Sequence, residues 1–298
     1  MRKWVVLYTA VVMLITSSQT TAAAQGGTGG PTLKTEARTA LQQQVQIWQQ
    51  SLSKQPLFES WQDANPNIVP IGPGLHGWLV TLRLDNKPVG YMIIHATQDG
   101  GFALGEYGVG DRPAFDPNTL YESLVRQGFY ETYADAASRK LKLERNYIHP
   151  LQAVWKWTAP EGDIYYLDAW TAEMLPIDEQ QWQQQTSKLN KPLIQDNASL
   201  IKQLSAARTN RAFDPYERMP WLTKSPLTAD QMKQLPLLLD RKTEIRFTAE
   251  LYDESVLFVW PAVGYHQWDH NNLFVAFDQL GTRYVPLDTL SSDGRFYR

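Results

Sequence analysis

The chain has 298 residues, 28 Lys and Arg against 31 Asp and Glu, and no Cys. Zero Cys excludes disulfides, thiolate metal sites and Cys nucleophiles together. The net charge of -3 lacks the basic excess of a nucleic-acid binder, and 43% hydrophobic residues exclude a wholly disordered chain.

Residues 1–24 read as a secretory signal peptide. Arg2 and Lys3 form a positive n-region, Trp4 to Thr16 an uncharged apolar stretch, and Ala22, Ala23 and Ala24 a small-residue cleavage site before Gln25. The apolar run is too short for a membrane span of about 20 residues, and no later run is long enough. The expectation is export with cleavage between Ala24 and Gln25. A secreted chain without Cys is ordinary for bacteria and unusual for small animal domains.

Gln25 to Lys34 (QGGTGGPTLK) reads as a Gly-rich linker. A helix is predicted over 35–53, because Ala37, Leu41, Val45, Trp48 and Leu52 recur at helical steps, with a short second helix at 57–64. Gly77 to Leu84, Val89 to Thr97 and Phe102 to Tyr107 follow as three strands joined by Asp85-Asn86-Lys87-Pro88 and Gln98-Asp99-Gly100-Gly101 turns. Within them Trp78, Val80 and Leu82 share one face. Asp116-Pro117 opens a helix that Gly128 stops. A hairpin closes the unit, Ala153 to Thr158 and Ile164 to Ala169 around Ala159-Pro160-Glu161-Gly162-Asp163.

Residues 176–244 lose the alternation and read as a helical connector. It holds the Gln-rich EQQWQQQ stretch, a helix at 199–208, and another after Thr228 that ends at Pro236. From 245 the strands return. Ile245, Phe247, Ala249 and Leu251 alternate with Arg246, Thr248, Glu250 and Tyr252, a half-buried pattern, and Ser255 to Trp260, Leu273 to Phe277 and Tyr284 to Leu287 follow. The fold class is α+β: a helix on an antiparallel sheet at 35–175, a helical connector at 176–244, and a small β unit at 245–298. Val-Gly-Tyr occurs at 89–91 and again at 263–265, too short a match to define a repeat.

Two stretches resemble known families. Ile164-Tyr165-Tyr166-Leu167-Asp168-Ala169-Trp170-Thr171-Ala172-Glu173 resembles the closing strand of PepSY-type domains, with Ala172 where Gly is usual. Trp48, Trp78 to Leu84, Val89 to Ala96 and Glu106-Tyr107 are similar to pro-regions of secreted bacterial cysteine peptidases. Both families are cystatin-like, and the resemblance implies an inhibitory or chaperone-like binding role. His270, Leu273 to Phe277 and Asp288 resemble the His-strand-turn-strand-Asp half of papain-like peptidases. With no Cys to act as nucleophile, that likeness implies a degenerate site.

Few motifs carry chemistry. His266-Gln267-Trp268-Asp269-His270 has two His at i and i+4, spacing that serves zinc on a helix, but the Glu of the zincin motif is missing and a loop between strands fits better. No Gly-x-Ser-x-Gly, P-loop or dinucleotide motif occurs, so no cofactor and no metal are expected. Glu106, at a strand end, is the carboxylate to inspect, with a rim position the ordinary reading. His266, Asp269, His270, Asp288 and Glu106 form the candidate polar set. Aromatic residues make up 12% of the chain, and rigid aromatic surfaces bind peptides and sugars. Trp155 and Trp157 share one face of a strand, and Tyr216 and Trp221 sit in a Pro-rich loop; these four are the candidate binding residues.

The expectation is a secreted, non-catalytic binding module for a peptide, a protease or a cell-wall polymer, with a sheet edge open to an added strand. The alternatives are a cell-surface hydrolase with paired carboxylates or the degenerate papain-like peptidase.

Overall fold

A computed structural model describes residues 31–74, 76–188, 203–269 and 272–298. The expected leader at 1–24, the first six residues of the linker and His270 lie outside the described residues. Two compact units are present, 1–40 and 41–298. The first is described through the start of helix α1 (Pro31–Leu52), which begins inside the segment expected to be linker.

The second unit is built on one large antiparallel sheet. Its first half is a meander of β1 (Asn65–Ile71), β2 (Gly77–Leu84), β3 (Lys87–Ala96) and β4 (Phe102–Val109). Its second half is a meander of β9 (Ile245–Leu251), β10 (Val256–Trp268), β11 (Leu273–Asp278) and β12 (Thr282–Pro286). The strands run β1-β2-β3-β4-β12-β11-β10-β9-β13, where β13 is Arg295–Tyr297, and β8 (Leu204–Thr209) pairs with β10. The expected first unit and C-terminal unit are therefore the two halves of one sheet. The order is symmetric about the β4–β12 seam. The repeated Val-Gly-Tyr does not follow that symmetry, since it falls on the third strand of one meander and the second of the other.

A second sheet of β5 (Lys142–His149), β6 (Gln152–Thr158) and β7 (Ile164–Asp168) packs with the first meander. The predicted face of β2 is correct: Val80 and Leu82 are buried with Trp78 packed against them. They meet Leu41, Val45, Trp48 and Leu52 of α1 and Phe58 and Trp61 of a 3-10 turn, Pro56–Trp61. The other face is covered as well. Leu79, Tyr91 and Ile93 pack with Trp155, Trp157 and Leu167 of the small sheet and Leu120 and Leu124 of α2 (Pro117–Arg126). Gln49 fastens α1 to the turn by donating to the carbonyls of Trp61 and Ala64, at 2.7 and 2.8 Å. Trp61 in turn donates to the Val89 carbonyl and lies over Gly90, where a Cβ would stand 2.5 Å from the indole. That close approach is why glycine occupies position 90.

Several elements differ from expectation. The segment read as helix 199–208 ends in strand β8, because its backbone groups are satisfied across β10 from Leu204 to Thr209. Pro236 does not end a helix. After α5 (Ala229–Lys233), capped by Thr228, it sits in the first turn of α6 (Leu235–Asp240), where a missing N–H costs nothing. Residues 266–268 are neither helix nor loop, since β10 continues to Trp268. β9 is buried on both faces except at Glu250. β1, β5, β13 and helices α3 (Tyr133–Ser138) and α7 (Leu287–Asp293) were not read from sequence, whereas α4 (Glu179–Lys188) coincides with the Gln-rich stretch.

The β1 and β13 edges are poor acceptors for an added strand. Pro66 and Pro70 leave Ile68 as the one N–H donor on their side of β1. At the other end the Phe296 carbonyl of β13 already accepts from Leu227 N–H. The test of the core assignment is Leu82→Ala. The side chain is fully enclosed, so unfolding in urea should show a loss of about 2–5 kcal/mol. A loss below about 0.5 kcal/mol, the range of surface changes, would place this face outside the core.

Candidate functional site

Glu106 does not lie on a rim; it is fully buried at the β4–β12 seam. The guanidinium of Arg283, on β12, donates to both of its oxygens, Nε at 3.1 Å and Nη2 at 2.8 Å. Tyr91 and Tyr147 hydroxyls donate to the same carboxylate at 2.7 and 2.9 Å. Arg283 also donates to the Pro150 carbonyl and to Gln279, and its guanidinium lies over the rings of Trp170 and Trp260. Burial, with the Glu106 charge behind it, holds the Tyr91 and Tyr147 hydroxyls well above the usual phenol range, so both stay donors. A carboxylate matched in this way is a structural anion, with no lone pair directed at an open site.

Of the paired imidazoles only His266 falls within the described residues, and among those residues no three His, Asp or Glu side chains gather as metal ligands. His266 is buried on β10 against the rings of Tyr284, Tyr107 and Phe58. Trp268 Nε1 donates to the Tyr107 hydroxyl at 3.0 Å, and that hydroxyl lies 2.9 Å from His266 Nδ1. Indole N–H can only donate, so the phenol accepts from Trp268, and the direction of its bond to Nδ1 follows the tautomer of the neutral ring. Burial lowers His266 to a pKa of about 3. Asp269 is half-buried beyond the end of β10, and Asp288 is exposed in the first turn of α7.

Trp155 and Trp157 are core side chains rather than a binding surface. They are enclosed under Phe115 and Phe129, which meet them edge-on. The strand alternation that placed them on one face was right, but both sides of β6 are covered.

The candidate that remains open to solvent is the Pro-rich loop over 213–224. Tyr216 is 56% exposed and meets Trp221 edge-on at 6.0 Å. Met219 and Leu222 are exposed beside them. Asp214 starts a turn by accepting from Tyr216 N–H, and a 3-10 turn runs Pro220–Leu222. Arg218 and Met219 between them take positive φ, of 64° and 33°, a costly conformation for non-Gly residues. The loop is held there by Arg246 of β9. Its guanidinium lies over the Phe213 ring, donates to the Pro215 carbonyl at 2.9 Å and pairs with Glu244 at 3.1 Å. The buried Arg246 was the residue sequence reasoning missed. Its place in the alternation of β9 predicted a solvated face, and the covering loop lies 31 positions earlier in the chain.

Beneath the loop is a cleft of about 240 Å³ whose wall carries Arg218, Lys224, Arg246 and Arg298 against the single acid Glu244. No family model, no curated protein and no solved structure matches this chain. The site is therefore read from its own residues.

Two outcomes test the interior groups. Glu106→Gln keeps one accepting oxygen, sets an NH2 against an Arg283 N–H and leaves the buried cation unmatched, so it should cost about 3–5 kcal/mol in urea. Glu106→Leu combined with Arg283→Leu should recover much of that loss; equal damage in the single and double variants would contradict the assignment. Separately, His149 and His266 are buried and lowered, to about 4 and about 3, by burial. An unfolded His titrates near pH 6.5. The unfolded chain therefore binds more protons below that pH, and stability present above about pH 6.5 is lost as pH falls toward 4 and 3. His266→Gln should flatten the fall in urea midpoint between pH 7 and pH 4.5; an unchanged slope would remove His266 from that dependence.

Proposed function

We propose that this chain is an exported, non-catalytic binding protein whose extended ligand, a peptide segment or a cell-wall polymer, lies on the loop over 213–224. The observation that carries the reading is the ring pair of exposed Tyr216 and half-buried Trp221, carried on a loop with strained backbone that a buried arginine holds in place. Preorganised aromatic rings give contact area at a low ordering cost. The reading draws further support from the interior. Glu106 is neutralised by Arg283, and His266 is enclosed by aromatic rings, so neither is placed to meet a substrate. The resemblance to PepSY-type domains and to peptidase pro-regions points the same way. The Pro-interrupted edge of β1 and the occupied edge of β13 favour side-chain contacts over strand addition there. Export rests on the n-region, the short apolar stretch and the Ala-rich site at 22–24; no helix among the described residues is long and apolar enough to cross a membrane.

The test uses protein secreted by its producer, with an amino terminus expected at Gln25. Calorimetry against peptide and cell-wall polymer preparations should show binding that Tyr216→Ala and Trp221→Ala each weaken by about 1–3 kcal/mol, with no steady turnover of either. Turnover that one carboxylate replacement abolishes would overturn the reading in favour of a hydrolase.

A further inference from the structure

Resting on the binding reading above, we propose that the cleft beneath the loop receives the carboxylates of an acidic peptide segment, whose apolar side chains lie on Tyr216, Met219 and Leu222. The charge balance is the first support. Four cations converge on one cleft in a chain whose overall charge is negative. Glu244 pairs with Arg246 at 3.1 Å, Glu217 with Arg218 at 3.5 Å, and Lys224 is held by the main-chain oxygen of Arg298 at 2.8 Å, so the cationic excess that remains is small.

The second support is how differently the cations are held. Arg246 is buried and fixed by Phe213, Pro215 and Glu244. It therefore sets a rigid field at the base of the cleft without losing side-chain freedom on binding. Arg218 is 80% exposed and reaches the mouth. Lys224 is tied to the Arg298 carbonyl at 2.8 Å. Guanidinium forks match carboxylate geometry.

Exposed apolar residues that alternate in sequence with the cleft-lining Arg218, Pro220 and Lys224 choose between sources of anionic oxygen. Tyr216, Met219 and Leu222 are 56, 44 and 67% exposed and stand at steps of three along the loop. A peptide that alternates acidic and apolar residues would cover them while its carboxylates meet the cleft. A phosphate polymer has nothing apolar to place there.

The experiment uses the full mature chain and reads Trp fluorescence and calorimetry. One probe is a pool of short peptides mixing Asp and Glu with Leu and Phe. The others are the same pool with Asn and Gln in place of the acids, and inorganic polyphosphate. The acidic pool is expected to bind, to weaken as salt rises, and to weaken by about tenfold in both Arg218→Gln with Lys224→Gln and Leu222→Ser. All three positions are exposed, so these variants should melt like the parent; a variant that does not is replaced by Arg218→Lys, expected to keep partial binding. Equal binding of the amide pool that still needs Tyr216 would overturn the carboxylate proposal and leave the binding reading standing. Polyphosphate bound more tightly than the acidic pool would also overturn it. Failure of all probes, together with failure of cell-wall polymer to bind at Tyr216, would overturn both.

Discussion

The ion pair of Glu106 and Arg283 is the contact on which the second unit depends. Its partners lie 177 residues apart and on the two halves of the large sheet. The backbone seam between those halves is short, with Tyr107, Gly108 and Val109 paired to Tyr284, Arg283 and Thr282. Two charges taken out of water carry a heavy desolvation cost, which is recovered only where every remaining hydrogen-bonding position is filled. Here two phenols, a backbone carbonyl and a Gln fill them, and two indoles cover the guanidinium. Those partners come from β3, β5, the β5–β6 turn, the loop after β7 and β10. The pair thus gathers the small sheet onto the seam as well as closing it. An apolar contact could stabilise the seam equally, but it would tolerate sliding by a residue; the bidentate fork does not.

Much of the fold was legible because it was local. The meander of β2 to β4, the Asp116 cap and the face of β2 all follow from neighbours in sequence. What escaped was decided at a distance. β1 contains two Pro and exposes most of its residues, so nothing in it advertises a strand; it exists because β2 supplies the partner groups. β8 looks helical by composition until β10, which runs six residues past its pairing with β9, offers it a partner. The union of the two expected units into one sheet depends on three residue pairs that no alternation can announce.

The candidate site divides along the same line. Tyr216 and Trp221 could be singled out because Pro-rich surroundings mark a loop and loops present their side chains. Trp155 and Trp157 looked equivalent by residue type, yet the small sheet is covered on the face they occupy. Glu106 read as an ordinary carboxylate because its partner is encoded near the far end of the sequence. Arg246 was hidden by its own regularity, sitting where an amphipathic strand would place a solvated residue. In each case the type of side chain was plain and its surroundings were not.

The symmetric strand order has a consequence for how the chain comes to be folded. β4 is complete at residue 109, but the partner of its outer edge and the countercharge of its buried carboxylate both come from β12. A growing chain carries the whole first meander for more than half its synthesis with that edge bare and that charge unmatched. Such long-range closure makes folding slow. The first meander remains provisional until residue 283 has been made, when pairing of β4 with β12 can join the two half-sheets into one.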